Sequence, residues 1–217
     1  MPPSNYTYPA KKKERGRKDI ATLDISQSLI DQAIQGNSES FETIVRLTQS
    51  GIYNLAFRIL NNREEAQDAT QEAFVKLYQA LPSFRGEARF TSWFYRIATN
   101  VCLDCYRRNK KKRENTAPEY MEHLLLLLTS NGQNSNPEQI YQDKQKLLRL
   151  QKAIDELPVK YRTVIVLRHM EGFSYQEIAE IMQVPVQTVG TFLYRGKAVL
   201  LKKLNSSKEG GIRVERV

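Results

Sequence analysis

Residues 173–204 read FSYQEIAEIMQVPVQTVGTFLYRGKAVLLKKL, and the fold is decided here. Ser174-Tyr175-Gln176-Glu177 has the form of a capping box: the serine hydroxyl can accept from the amide three residues on, while Glu177 reaches back to the serine amide. The helix it opens, 174–182, turns Ile178, Ala179 and Ile181 inward. Gln183-Val184-Pro185 is a short turn, and a second helix from Val186 buries Val189, Leu193 and Leu200. Two helices across so short a turn, with the small Ala179 where they cross, have the spacing of a helix-turn-helix. The second helix would present Gln187, Thr188, Thr191, Tyr194 and Arg195 to a major groove. An ordinary helical hairpin has the same spacing. The capping box, the small crossing residue and the basic C-terminal half favour duplex DNA.

Working outward, helical periodicity dominates and no segment reads clearly as strand. A helix over about 25–35 carries Leu29, Ile30, Ala33 and Ile34 and stops at Gly36. The next runs from Ser38 or Ser40 to Leu60, and Asn61-Asn62 punctuates it. A third, about 63–81, has Glu64 and Glu65 in its first turn, where the helix dipole favours acids, and Pro82 ends it. A fourth, about 90–109, aligns Phe90, Trp93, Phe94, Ile97, Ala98, Val101 and Cys105. These four can enclose one core. Residues 131–137 (NGQNSNP) are dense in turn formers, so the stretch around them reads as a linker. A second helical unit shows Leu147, Leu150, Ile154 and Leu157 before Pro158, then a short helix at about 159–170. The expectation is an all-α chain of two small helical domains joined by a flexible linker. Its parts are a basic arm at 1–22, a first domain at 23–109, a linker at 110–140, a second domain at 141–205 and a tail at 206–217.

The 217 residues carry a formal net charge of +9, but unevenly. Residues 11–18 (KKKERGRK) and 107–113 (RRNKKKR) hold more than the whole excess, the other residues summing to slightly negative, so two basic patches sit on a near-neutral body. Nucleic acid is the usual partner of such patches, with an anionic membrane surface or a solvated arm as the alternatives. The longest uninterrupted apolar run, Leu124–Leu128, is far short of the roughly 20 residues of a membrane span. The N-terminus has no secretory apolar segment. Cys102 and Cys105 form a C-x-x-C without the further ligands that zinc wants, and read as small apolar residues on one helical face. No metal set, nucleophile triad or phosphate-binding glycine loop is seen, so no cofactor and no catalytic centre are expected.

A second cluster, Phe84-Arg85-Gly86-Glu87-Ala88-Arg89-Phe90-Thr91-Ser92-Trp93, joins the third and fourth helices. Aromatic rings can stack on unpaired bases while guanidiniums hold phosphate. Phe90, Trp93 and Phe94, at helical spacing, read more readily as core; Phe84 and Arg85, on the loop, are the better candidates for bases.

These residues resemble the extracytoplasmic-function (group 4) sigma factors of the sigma-70 family. The resemblance rests on Asp68-Ala69-Thr70-Gln71-Glu72-Ala73-Phe74, Phe84-Arg85-Gly86-Glu87 and 91–100 (TSWFYRIATN) in the first domain. In the second it rests on 157–162 (LPVKYR), 171–179 (EGFSYQEIA), Pro185, Thr188-Val189 and Leu193-Tyr194-Arg195. It implies an alternative sigma factor that binds core RNA polymerase, directs it to promoters and promotes melting. The first domain resembles region 2, with Asp68, Gln71 and Glu72 as the face for the polymerase clamp coiled coil. Phe84, Arg85, Gly86, Asn100, Arg107 and Arg108 would hold the melted −10 strand, Asn100 having both a donor and an acceptor for a base edge. The second domain resembles region 4, reading the −35 duplex and touching the polymerase flap, with Ser174, Tyr175 and Lys197 added to the five groove-facing residues above. A cytoplasmic location, promoter DNA as partner, no membrane insertion and scope for an anti-sigma factor follow from the same resemblance.

The chain departs from the family at the turn, where Gln183 stands for a frequent glycine, and at Gly190 and Phe192, where basic residues are common. Two other classes stay open at this level. A self-sufficient helix-turn-helix regulator would have no need of the 68–74 face or the 84–100 segment. An enzyme with a DNA-binding tail would need clustered carboxylates or a Ser or Tyr nucleophile in a pocket, and Asp68 with Glu72 is the one carboxylate pair on a common face.

Overall fold

A computed structural model describes residues 25–113, 149–150 and 152–209. The basic run at 11–18 and Leu124–Leu128 lie outside the described residues, as does most of the expected linker.

Helix α1 (Gln27–Ile34) is short, and Gly36, at φ +89°, turns the chain out of it. Helix α2 (Ser38–Leu60) starts on Asn37, whose side chain accepts from the Ser40 amide at 2.9 Å. The Asn61-Asn62 pair divides its work. Asn61 adopts the left-handed conformation that closes α2, and Asn62 caps α3 (Arg63–Ala80) by accepting from the Glu65 amide at 2.9 Å. Asparagine tolerates that conformation better than most residues, which is why one dipeptide can end one helix and start the next. Ala66, Ala69, Ala73 and Leu77 form the buried stripe of α3, and small side chains let it lie close on α2. A 3₁₀ turn (Leu81–Ser83) carries Pro82, and the loop 84–89 leads into α4 (Phe90–Arg113). The core of this first unit includes Ile44, Ile52, Leu55, Ile59, Leu77, Phe94 and Val101.

The second unit begins with helical backbone at 152–155 that buries Ala153 and Ile154. Pro158 precedes α5 (Val159–Ile165), which widens into a π turn at Val166–Met170. The sequence predicts a single regular helix over this stretch. The wider turn changes the register, and both Glu171 and Phe173 end up buried. Then come α6 (Tyr175–Met182) and α7 (Val186–Glu209), which are the helix-turn-helix. Gln183 takes the left-handed conformation at φ 53°, which the glycine frequent at this turn would adopt without strain. Leu150, expected to face the core with Ile154 and Leu157, is exposed.

The two units touch. Helix α6 lies along α4, and the π turn meets the C-terminal end of α2. The sequence separates the units at the linker but does not show that they pack on one another.

Candidate nucleic-acid interface

The 84–89 loop and the start of α1 enclose an open cavity of about 420 Å³, lined among others by Ile25, Gln27, Ile30, Phe84, Gly86 and Arg89. Gly86 sits at φ +73°, a conformation that L side chains rarely adopt, so the loop's shape depends on glycine there. The Phe84 ring meets Trp93 at 4.9 Å and Phe90 at 5.4 Å between centroids. It is therefore braced by its neighbours and half-buried at the cavity wall. Phe90 and Phe94 are core, as their spacing predicts, while Trp93 stays partly exposed. Arg85 is exposed beside the cavity, and Asn100 is exposed one helical stretch further along α4. The contribution of α1 to the cavity carries no signal in sequence, because its residues read only as an amphipathic helix.

At the far end of α4 the expected DNA-facing arginines already have partners. Arg107 pairs with Asp104 at 2.7 Å, and Arg108 reaches across to Glu72 of α3 at 3.1 Å. Glu72 also holds Lys76 at 2.9 Å. The sequence reading puts Glu72 on an exposed acidic face; it is instead half-buried under two cations. Its carboxyl is held below the ordinary carboxylate range: the hydrogen bond from Lys76 is the largest cause, burial opposes it, and Arg108 adds to the lowering. Asp68 and Gln71 are exposed as expected. Val75 and Tyr78 continue their stripe at i+4 and i+3 steps and are 55% and 60% exposed, with the Tyr78 ring edge-on to Phe41 at 5.0 Å. This apolar half of the α3 surface was legible in the spacing, but the sequence reading stops at its polar residues.

In the helix-turn-helix, the capping box forms in full. The Glu177 amide donates to Ser174 Oγ at 3.2 Å, and the Ser174 amide donates to Glu177 Oε2 at 2.8 Å. Ser174 is thus occupied by its cap, and Arg168 lies over the Tyr175 ring at 5.2 Å. Along α7, Gln187, Thr191, Tyr194 and Arg195 are exposed, with Tyr194 at 77%; Thr188 and Lys197 are half-buried. Phe192 faces the other way. Its ring meets Tyr161 at 5.8 Å, so it packs α7 on α5 where a basic residue would have reached for phosphate. Gly196 permits the same approach: a Cβ there would stand 2.9 Å from Ile165 Cδ1 and 3.3 Å from Tyr161 Cβ. The sequence reading notes the small Ala179 of α6, which is buried, and misses Gly196 between α5 and α7.

Cys102 and Cys105 are free and buried, and burial pushes both thiols above their ordinary value. They are packing residues of α4.

Comparison with known proteins agrees with this geometry region by region. Residues 44–112 match the model of Sigma-70 region 2, and residues 147–200 that of Sigma-70 region 4. The ECF RNA polymerase sigma factor SigW of Bacillus subtilis is 36% identical over 183 residues, covering 81% of this chain and 94% of that protein. The RNA polymerase sigma-H factor of Pseudomonas aeruginosa is 34% identical over 192 residues, covering 85% and 96%. Among solved structures, CnrH in complex with the cytosolic domain of CnrY aligns with a TM-score of 0.60 at 23% identity, covering 82% of this chain and 96% of that one. The sigma factor RpoE in complex with the anti-sigma factor NepR, from Bartonella quintana, aligns at 0.55 and 18%, covering 77% and 98%.

Proposed function

Because the chain belongs to the extracytoplasmic-function sigma factors of the sigma-70 family, we propose that it divides promoter recognition between a melted −10 strand at the 84–100 segment and a −35 duplex read by α7. The chain is an alternative sigma factor, acting with core RNA polymerase and promoter DNA in transcription initiation. Sigma factors are non-catalytic, and we assign the chemistry of RNA synthesis to the polymerase.

The observation that carries the −10 reading is the cavity between α1 and the 84–89 loop. It is open, walled on one side by the Phe84 ring and lined by Arg89 and Glu87, with Arg85 exposed on the same loop, which suits a base turned out of its stack with its phosphate outside. The Asn100 side chain is exposed and offers donor and acceptor for a base edge. For the duplex, Gln187, Thr191, Tyr194 and Arg195 present polar and aromatic groups from one helix, with Thr188 beside them. Tyr175 and Lys197 would contribute phosphate contacts at the edge of this surface, and Ser174, whose oxygen accepts in the cap, would add only its hydroxyl proton.

For the polymerase clamp, the docking stripe is Asp68, Gln71, Val75 and Tyr78, with Glu72 set behind it in its ion pairs. An exposed Tyr is among the residue types enriched in binding hot spots, and Val75 adds apolar surface beside it. Domains at 23–109 and 141–205, joined by 110–140, fit this division, with the second domain also meeting the polymerase flap. The described residues contain no helix long and apolar enough to cross a membrane, and we place the action in the cytoplasm. Two aligned structures are sigma factors held by partner proteins, and an anti-sigma factor is a proposed partner here as well.

The test is promoter opening by Phe84→Ala and Asn100→Ala, followed by permanganate reactivity of the melted strand. Both variants should open promoters poorly while binding core polymerase as the unaltered chain does. A parallel fall in core binding would make Asn100 a structural residue and remove it from the −10 site.

A further inference from the structure

Helix α7 has two flanks besides its outer face, and one of them lacks charge at its centre. An α-helix with its side chains is about as wide as the major groove, so residues on its flanks lie toward the phosphate strands and those on its outer face toward base edges. Thr188, Phe192 and Arg195 follow one another at steps of four and three, and so share a flank, the one turned toward α5. The Phe192 ring, between the other two, brings no charge to a phosphate.

A cation stands beside that ring from another element. Lys160, in the first turn of α5, is exposed, and its Nζ lies 5.5 Å from the centroid of the Phe192 ring and 5.2 Å from that of Tyr161. The two rings meet at 5.8 Å. Gly196 lets α7 come near enough for this, since a Cβ there would press on Ile165 and Tyr161. An ammonium within about 6 Å of a ring centroid is attracted by the ring's negative face. The two rings therefore restrict a side chain that would otherwise sample many rotamers, and an ordered side chain loses less entropy when it binds. Lys203, about three turns further along the same flank, pairs with Glu156, whereas no carboxylate pairs with Lys160 among the described residues. The charge of Lys160 is thus available to an anion from outside.

We propose that Lys160 is a phosphate contact for the −35 duplex, supplied from α5 on the flank where Phe192 stands and supported by the Phe192 and Tyr161 rings. This rests on the proposed −35 reading and adds to it a residue outside the helix-turn-helix. A lysine on a phosphate strengthens binding and fixes the register of α7 in the groove, and it carries no sequence preference of its own.

The experiment measures binding of core polymerase carrying the full chain to a duplex that ends upstream of the −10 element, so that melting does not contribute. The duplex is cut from a promoter recovered by run-off transcription on a genomic library, and a copy with its −35 motif scrambled is the reference. Affinities are taken across a range of salt for the unaltered chain, Lys160→Met, Lys160→Arg and Phe192→Leu. One lost phosphate contact lowers the steepness of log affinity against log salt by about 0.9. Lys160→Met should show that change, with affinity several-fold weaker at low salt and an unaltered ratio between the two duplexes. Lys160→Arg should keep the slope. Phe192→Leu keeps the charge without its support, and should lose less affinity than Lys160→Met at an unchanged slope. An unchanged slope in Lys160→Met overturns the contact, and so does an equal loss in Lys160→Met and Lys160→Arg, which a packing role would give. A ratio that collapses in Lys160→Met makes Lys160 a base reader and overturns the phosphate assignment. Full affinity in Phe192→Leu overturns the support by its ring. If scrambling the −35 motif makes no difference to the unaltered chain, the −35 reading fails and the proposal with it; where that preference is intact, a negative result falls on Lys160 alone.

Discussion

Gly190 and Gly196 stand six residues apart on α7 and have opposite surroundings. Nothing lies within 4 Å of where a Cβ on Gly190 would be, whereas one on Gly196 would crowd Ile165 and Tyr161 of α5. Gly190→Ala should therefore stabilise the chain by up to about 1 kcal/mol, the helix-propensity difference. Gly196→Ala should cost roughly 1–3 kcal/mol as α7 is pushed off α5. Thermal or urea unfolding of the two variants checks the contrast, and equal effects would refute the crossing. Gln183 offers a third residue-scale test. It holds a left-handed conformation that glycine adopts without strain, so Gln183→Gly should gain about 1 kcal/mol in the same assay. Sequence alone identified Gly190 and Gln183 as departures from the family pattern. It could not separate Gly190 from Gly196, because the difference lies in what faces each across the helix pair.

Helix α3 shows the same split at the scale of an element. The Asn61-Asn62 break before it, its acidic first turn and its terminating proline were legible, since each acts within a turn of its residue; that Asn62 caps α3 was not read. Its outer surface was only half legible. Asp68 and Gln71 are exposed, but Glu72 is committed to Lys76 and Arg108, and the second of these comes from α4, thirty-six positions away in the chain. On this account Tyr78→Ala should weaken binding to core polymerase about tenfold or more, in the range of interface hot spots. Its unfolding midpoint should stay close to that of the unaltered chain, as Tyr78 is 60% exposed. Glu72 makes a different prediction. A carboxyl held below its ordinary value contributes stability above that value and loses it as pH falls through the lowered one. Glu72→Gln should thus lower stability near neutral pH by no more than about 1 kcal/mol, this being a partly exposed pair, and the deficit should vanish in acid. Denaturant midpoints measured across pH would show it.

For the whole molecule, two helical units were readable from periodicity, punctuation and the capping box. Their packing on each other was not. Glu171 and Phe173 look in sequence like an ordinary loop entering a helix, and only the π turn before them aims both at α2 and α4. Long-range polar pairs such as Arg58 with Glu171 leave no periodic trace. The charge distribution is also a property at this scale: an uneven +9 on a chain whose α3 stripe is proposed to meet polymerase and whose α7 is proposed to meet DNA fits a protein that binds promoters only with a partner. The measurement that tests this most directly is run-off transcription on a fragmented genomic library, with core polymerase and with or without the purified chain. The account predicts defined start sites that appear only with the chain and share two upstream motifs, one of them lost selectively with Arg195→Ala. Transcripts no different from core polymerase alone, or tight sequence-specific DNA binding by the chain without polymerase, would contradict it.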